Sequence, residues 1–407
     1  MTPAETCRIC RQGALERVLE LGRQPVSSHF TRLACEEVVE RDLALAVCST
    51  CGGIQLAQPF PFRMLVPPFD WISYREPESH LDEAVQWLTG LEGVDRDSKI
   101  LGLSAKDRTT VERLERLGYG NTRLLDLAAD LGADYPNANI ESVHGLMTAE
   151  RAAVLAERIG LQDLVIARHV LEHAEAPLAF LEALKLLLKP GGVLLLEVPD
   201  CRANLERQDY CMLWEEHNTY FTPDTLAPTF AFAGLVDLGH TIHPYPFEDV
   251  IVAAVRKPVA GAVAQLGFDH QAVERNVALA RAYGAAFAGW TARQDALFTQ
   301  MTADGRKLAA YGAGHLTCAF LNFHGFTRHF AMVIDDTPVK QGLHLPKAGL
   351  PIRPASALDP ARIAACLLGF GPEVEDKVVA KNAAFVTGGG AFHSMFADSR
   401  RSIRALL

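Results

Sequence analysis

The most specific chemistry in this chain lies in two cysteine pairs of identical spacing, Cys7-Arg8-Ile9-Cys10 and Cys48-Ser49-Thr50-Cys51. Each Cys-x-x-Cys knuckle can turn two thiolates toward one ion. Four soft ligands in a closed tetrahedron are what a structural zinc site requires. Cys7, Cys10, Cys48 and Cys51 are therefore expected to hold Zn2+, with no position left open for substrate. Residues 11–47 must form a small sheet between the knuckles, and Cys35 within them is expected to be a buried bystander. A second set runs Arg168-His169-Val170-Leu171-Glu172-His173, then Pro190-Gly191-Gly192, then Glu197-Val198-Pro199-Asp200. It reads as strand, polar turn, helix, turn and strand, which puts His169 and His173 beyond the carboxyl end of a parallel strand, where such sheets bind ligands. The third is Trp214-Glu215-Glu216-His217-Asn218-Thr219-Tyr220-Phe221-Thr222. A carboxylate beside an imidazole can orient it and raise its basicity, which suits proton abstraction near neutral pH. The plainer reading is a loop ahead of a helix opened by Thr222 and Asp224.

These residues need elements to position them. The chain has 407 residues, enough for two or three domains, and 49% hydrophobic residues to fill their cores. Its net charge of -10, without a basic run, argues against a nucleic-acid surface. Apolar stretches such as Val193–Leu196 are far too short to span a bilayer. The polar opening residues do not read as a secretory signal, and paired cysteines fit a reducing compartment, so a cytoplasmic location is expected. Residues 1–65 read as a zinc-binding module. Residues 66–258 alternate strands (Ile100–Leu103, Arg123–Leu125, Asp163–Ala167, Val193–Val198) with helices, which predicts a parallel sheet covered on both faces. Residues 259–304 form a helical linker, and 305–407 a second α/β unit beginning at Lys307–Gly314.

In the order of its motifs the chain resembles the sugar C-methyltransferases of deoxysugar pathways. The resemblance runs through the two knuckles, Leu19-Glu20-Leu21-Gly22-x-Gln24-Pro25, Gln55-Leu56, His173, Pro190-Gly191-Gly192 and Glu216-His217. It continues through Tyr311-Gly312-Ala313-Gly314, Asp335-Asp336-Thr337-Pro338-x-Lys340-Gln341-Gly342 and Leu350-Pro351-Ile352. It implies a class I methyltransferase-like, Rossmann-like sheet between a zinc module and a C-terminal Rossmann-like domain. It also implies S-adenosylmethionine as methyl donor and a nucleotide-linked keto-sugar as substrate. On that reading His217, beside Glu216, takes a proton from the carbon next to a ketone, and His173 faces the carbonyl or the enolate. Gly312 and Gly314 would help to bind the nucleotide, without a second cofactor.

One stretch departs from the family. Its glycine-rich loop (Glu-Ile-Gly-x-x-Asp-Gly) falls on Gly102-Leu103-Ser104-Ala105-Lys106-Asp107-Arg108, where only Asp107 agrees. Ser104, Asp107, Asp126 and His169 are the residues expected near the cofactor, with side chains now standing where glycine let backbone approach. Two family tyrosines become Trp71 and Trp214, and Tyr74 or Tyr220 would supply a hydroxyl instead. Three functions follow: C-methylation through a remodelled loop, epimerisation or isomerisation of a keto-sugar without the cofactor, or a non-catalytic binding partner.

Overall fold

The computed structural model describes residues 6–70, 78–135, 137–245, 248–259 and 269–407. Trp71 and Tyr74 lie outside the described residues. The chain divides into two compact units, one of Met1–Arg17, Leu45–Arg202 and Glu216–Ala280, the other of Val18–Ala44, Ala203–Glu215 and Arg281–Leu407.

Around the knuckles run β1 (Leu15–Pro25), β2 (Glu40–Cys48) and β3 (Ile54–Leu56). The first unit holds β4 (Ile100–Gly102), β5 (Thr122–Leu124), β6 (Gln162–Arg168), β7 (Leu188–Asp200), β8 (Thr219–Tyr220), β9 (Val236–His243) and β10 (Asp249–Arg256). Strand β8 adds to the zinc-module sheet, whose order is β1-β2-β3-β8, and the others form one sheet in the order β5-β4-β6-β7-β10-β9. Side chains alternate across a strand, so a sheet covered on both faces needs apolar residues at every position. Leu101, Val165, Leu194, Leu196 and Ile251 face one core with Leu155, Leu181, Leu184 and Phe230. Ile100, Leu164, Ile166, Val193, Leu195 and Val252 face the other with Val85, Leu88, Val111 and Leu114. Helix Leu81–Thr89 buries Leu81, Ala84, Val85 and Leu88, the set its spacing predicts.

The sheet is mixed rather than all parallel: β4, β5, β6 and β7 run parallel, while β10 pairs antiparallel with β7 and β9. The short connection from β9 to β10 explains this, because adjacent strands joined by a few residues can pair only antiparallel. Pro190-Gly191-Gly192 lies inside β7, where the register with β6 slips between Gln162 and Leu164, so it is an irregularity of the strand rather than a turn before it. Cys35 is exposed, not buried; the segment before β2 carries charged residues and gives it no core to enter.

In the second unit, β11 (Lys307–Tyr311), β12 (Phe330–Ile334), β13 (Ile352–Arg353), β14 (Ile363–Leu368) and β15 (Ala391–Ser394) are parallel, in the order β13-β12-β11-β14-β15. Renumbered within the unit this order is 3-2-1-4-5, the doubly wound Rossmann arrangement, with its switch point between β11 and β14. The long helix His270–Met301 precedes it in the chain.

Candidate functional site

The two knuckles fold alike. Arg11 N donates to Cys7 O (2.9 Å) and Cys7 N to Gly13 O (3.0 Å); Gly52 N donates to Cys48 O (2.8 Å) and Cys48 N to Gly53 O (2.9 Å). Sulfur atoms of Cys7 and Cys51 stand 3.5 Å apart, those of Cys10 and Cys48 3.7 Å. A tetrahedron with Zn–S bonds of about 2.3 Å has edges of about 3.8 Å, so the donor set fits zinc. Thiols this close cannot ionise together. Hydrogen bonding to Cys48 pushes the Cys7 and Cys51 thiols up, while bonding to Cys51 and Cys7 holds the Cys48 thiol well down. A dication relieves that conflict by favouring all four thiolates.

Arg8, inside the first knuckle, reaches out of it. Its guanidinium donates to Gln55 Oε1 (3.2 Å), Leu56 O (2.7 Å) and Asn218 O (2.9 Å). β3 then pairs with β8 (Ile54 with Tyr220, Gln55 with Thr219), and Leu56 N donates to Asn218 O at 3.1 Å. The zinc module thus grips the loop that carries Glu216 and His217.

That loop interlocks with the turn after β6. Asn218 N donates to Glu172 O (2.7 Å), and Asn218 Nδ2 to His173 O (2.7 Å). His173 Nδ1 bonds to the Glu216 carbonyl at 2.9 Å. A carbonyl only accepts, so the proton sits on Nδ1, and in the neutral ring Nε2 carries the lone pair. Burial drives the His173 pKa down to about 3 against the lift of that carbonyl bond. A lone pair cannot donate to a carbonyl or an enolate, so the neutral ring offers no proton in the role expected for it. The His217 ring lies edge-on, 4.9 Å from that of His173, and 6.4 Å from Tyr220. His217, Glu216, His173 and Tyr220 are all buried. The structure brings them together.

The cofactor residues fall on a neighbouring network. Ser104 N donates to Asp107 Oδ2 (2.9 Å), Lys106 N to Ser104 Oγ (3.2 Å) and Asp107 N to Ser104 O (3.1 Å), so the loop closes on itself. The other Asp107 oxygen takes Arg168 N at 2.9 Å. The buried Arg168 guanidinium donates to Glu197 (2.8 Å) and to Lys106 O (2.7 Å); His169 Nε2 meets Glu197 Oε1 (2.8 Å), and His80 Nε2 meets Oε2 (3.2 Å). Burial works against charge on His169, but the Glu172 and Glu197 carboxylates on either side of the ring outweigh it and lift its pKa to about 9. A Cβ on Gly102 would meet Leu124 Cδ2 at 2.7 Å and Asp107 Cβ at 2.9 Å, so packing leaves no room for the family's acid. Asp126 is exposed and caps helix Leu127–Leu131 through Ala128 N and Ala129 N. At the loop, the amides of Ser104, Lys106 and Asp107 are already paired, and the buried Arg168 stands beside them. S-adenosylmethionine would therefore be held here differently from the way a glycine loop holds it.

Trp214, Gly312 and Gly314 belong to the second unit. Trp214 stacks on His315 at 4.2 Å and 15°. Gly312 has a φ of +99°, which a side chain would strain, and Gly314 caps helix His315–His324. Asp335 accepts from Ala313 N at 2.8 Å and from Lys340 Nζ at 3.2 Å, which holds the turn.

Sequence reasoning passed over Arg8, Arg168 and Glu197. For the last two a signal existed: each is a charge ending an apolar strand run, and the two are direct partners across β6 and β7. Arg8 gave none, since its acceptors are mostly main-chain.

Three family models match in order: "Putative zinc binding domain" over residues 7–65, "Methyltransferase domain" over 97–239 and "C-methyltransferase C-terminal domain" over 254–396. The chain is 26% identical to C-methyltransferase NovU of Streptomyces niveus, across 96% of this chain and 95% of that one. Among solved structures it resembles the 1,6-didemethyltoxoflavin-N1-methyltransferase of Burkholderia thailandensis, determined with S-adenosylhomocysteine, at 17% identity and a TM-score of 0.30 over 44% of this chain and 79% of that chain. An O-methyltransferase family protein from the same organism matches at 13% identity and a TM-score of 0.29, over 45% of this chain and 58% of that chain. A zinc-binding domain model, a methyltransferase domain model and the model of the C-terminal domain of C-methyltransferases thus match in one polypeptide, in the order and over nearly the length in which the chain is similar to a C-methyltransferase.

Proposed function

We propose that this C-methyltransferase acts on a nucleotide-linked keto-deoxysugar, removing a proton from the carbon beside the ketone to give an enolate. The observation that carries this is the buried cluster of His173, Glu216 and His217 at the open end of the sheet. His217 takes the proton. Glu216 and Asn218 fix the two loops against each other, and burial keeps water from quenching the carbanion. S-adenosylmethionine, in the reading the family supports, would supply the methyl group to that carbon, its S–CH3 bond breaking and S-adenosylhomocysteine leaving. A second reading, reprotonation that epimerises or isomerises the sugar, is favoured by the Arg168 network at the donor loop.

Incubation of keto-sugar nucleotides in deuterated buffer, with and without S-adenosylmethionine, tests both. Deuterium should enter the carbon next to the ketone, and His217→Asn should slow that exchange about 100-fold or more. No exchange by the parent protein, or full exchange by the variant, would sink the reading. Methylated product separates the first fate of the enolate from the second.

A further inference from the structure

Glu172 is 1% exposed, and among the described residues neither of its carboxylate oxygens accepts a hydrogen bond. Its ion-pair partner, His169 Nδ1, stands 3.4 Å away without the geometry of a hydrogen bond. Leaving a buried carboxylate so poorly bonded is costly unless something else binds it. One atom of Glu172, one ring nitrogen of His173 and one of His217 lie within 4.8 Å of one another. His173 is held as metal-binding histidines are: its Nδ1–H is anchored on a carbonyl, which leaves the lone pair on Nε2. The main chain of Glu172 and His173 is pinned by Asn218, next in sequence to His217, so all three ligands hang from one braced pair of loops.

We propose that Glu172, His173 and His217 form a binding site for a divalent first-row transition cation, separate from the four-cysteine site. Two imidazoles and a carboxylate suit zinc, cobalt, nickel or ferrous iron better than magnesium or calcium. Three protein ligands leave coordination positions open, as in reactive rather than structural sites. Closure around bonds of about 2.1 Å brings the ligand atoms to about 3.4 Å apart, a small side-chain movement. The consequence rests on His217 being the base: one lone pair can take a proton or a metal, not both. The bound cation therefore blocks enolate formation.

Cobalt(II), titrated into the full-length protein with its cysteine site filled by zinc, is the probe. Visible d–d bands without sulfur-to-metal charge transfer should saturate at a single added equivalent. Glu172→Gln, nearly isosteric, and His173→Ala should each weaken that binding about tenfold or more while the cysteine-bound zinc stays in place. Absence of the bands, or unchanged binding in a Glu172→Gln protein of parental melting temperature, overturns the site. Deuterium exchange should fall as cobalt binds and return on chelation; exchange that persists or rises in the cobalt-loaded protein overturns the blocking. Loss of base function itself is read separately, in metal-free His217→Asn.

Discussion

Asp107 shows how this chain treats charge at the residue scale. The side chain is fully buried, and burial, only partly offset by Arg168, lifts its carboxyl from 3.8 to about 6. Folding therefore makes it hold a proton that the unfolded chain has already released. Between about pH 4 and pH 6 the folded state binds more protons, so this group's contribution to stability falls as pH rises and levels off above, by at most about 3 kcal/mol. Asp107→Asn removes that titration. Its melting temperature relative to the parent should climb from pH 4 to pH 6 and then hold constant; a difference that is flat across the window would refute the assignment. Glu197 behaves oppositely: burial would raise it, but Arg168 first, then His169 and His80, hold it well below its ordinary range. Both acids could be recognised in the sequence as charges set among apolar or loop residues. Their opposite behaviour could not, because it depends on which of them Arg168 reaches with its guanidinium.

At the scale of elements, the zinc module positions the loop that carries His217, the proposed base. β3 pairs with β8 immediately after His217, and Arg8 ties the first knuckle to Asn218 O and Leu56 O. Arg8→Ala should lower kcat about 10- to 100-fold with little change in KM, since it shifts the base without touching substrate. Arg8→Lys should recover only part, because an ammonium cannot reproduce the planar fork. A rise in KM alone would show that Arg8 acts some other way. The strands at Ile100, Asp163 and Val193 and the capped helix at Pro223 were legible, because periodicity and caps are local signals. The antiparallel β9–β10 pair, the irregular Pro190-Gly191-Gly192 and the exposed Cys35 were not, because partner strand and burial are settled by tertiary packing. The pairing of β3 with β8 joins residues far apart in the chain, and no local pattern announces it.

At the scale of the whole molecule, the question is whether the zinc module is an appendage or part of the first unit's core. Cys7, Ile9, Cys10, Cys48 and Cys51 belong to the same apolar cluster as Leu101, Val165, Leu194 and Ile251 of the methyltransferase sheet. Gly52, at φ +71°, lies close enough to the start of helix His270–Met301 that a Cβ would meet Val273 Cα at 3.1 Å. Metal binding to four thiolates contributes directly to folding free energy, and a shared core should pass its loss onward. Gly13→Ala gives a way to weaken zinc without a chelator, since its Cβ would fall 2.3 Å from Cys48 Sγ and 2.8 Å from Thr50 Oγ1. Both zinc chelation and Gly13→Ala should therefore lower the main melting transition and open residues 97–239 to proteolysis. If zinc is lost while that segment stays protected and melts as before, the module folds by itself. The brace on His217 would then be a contact between two independent bodies rather than a consequence of one core.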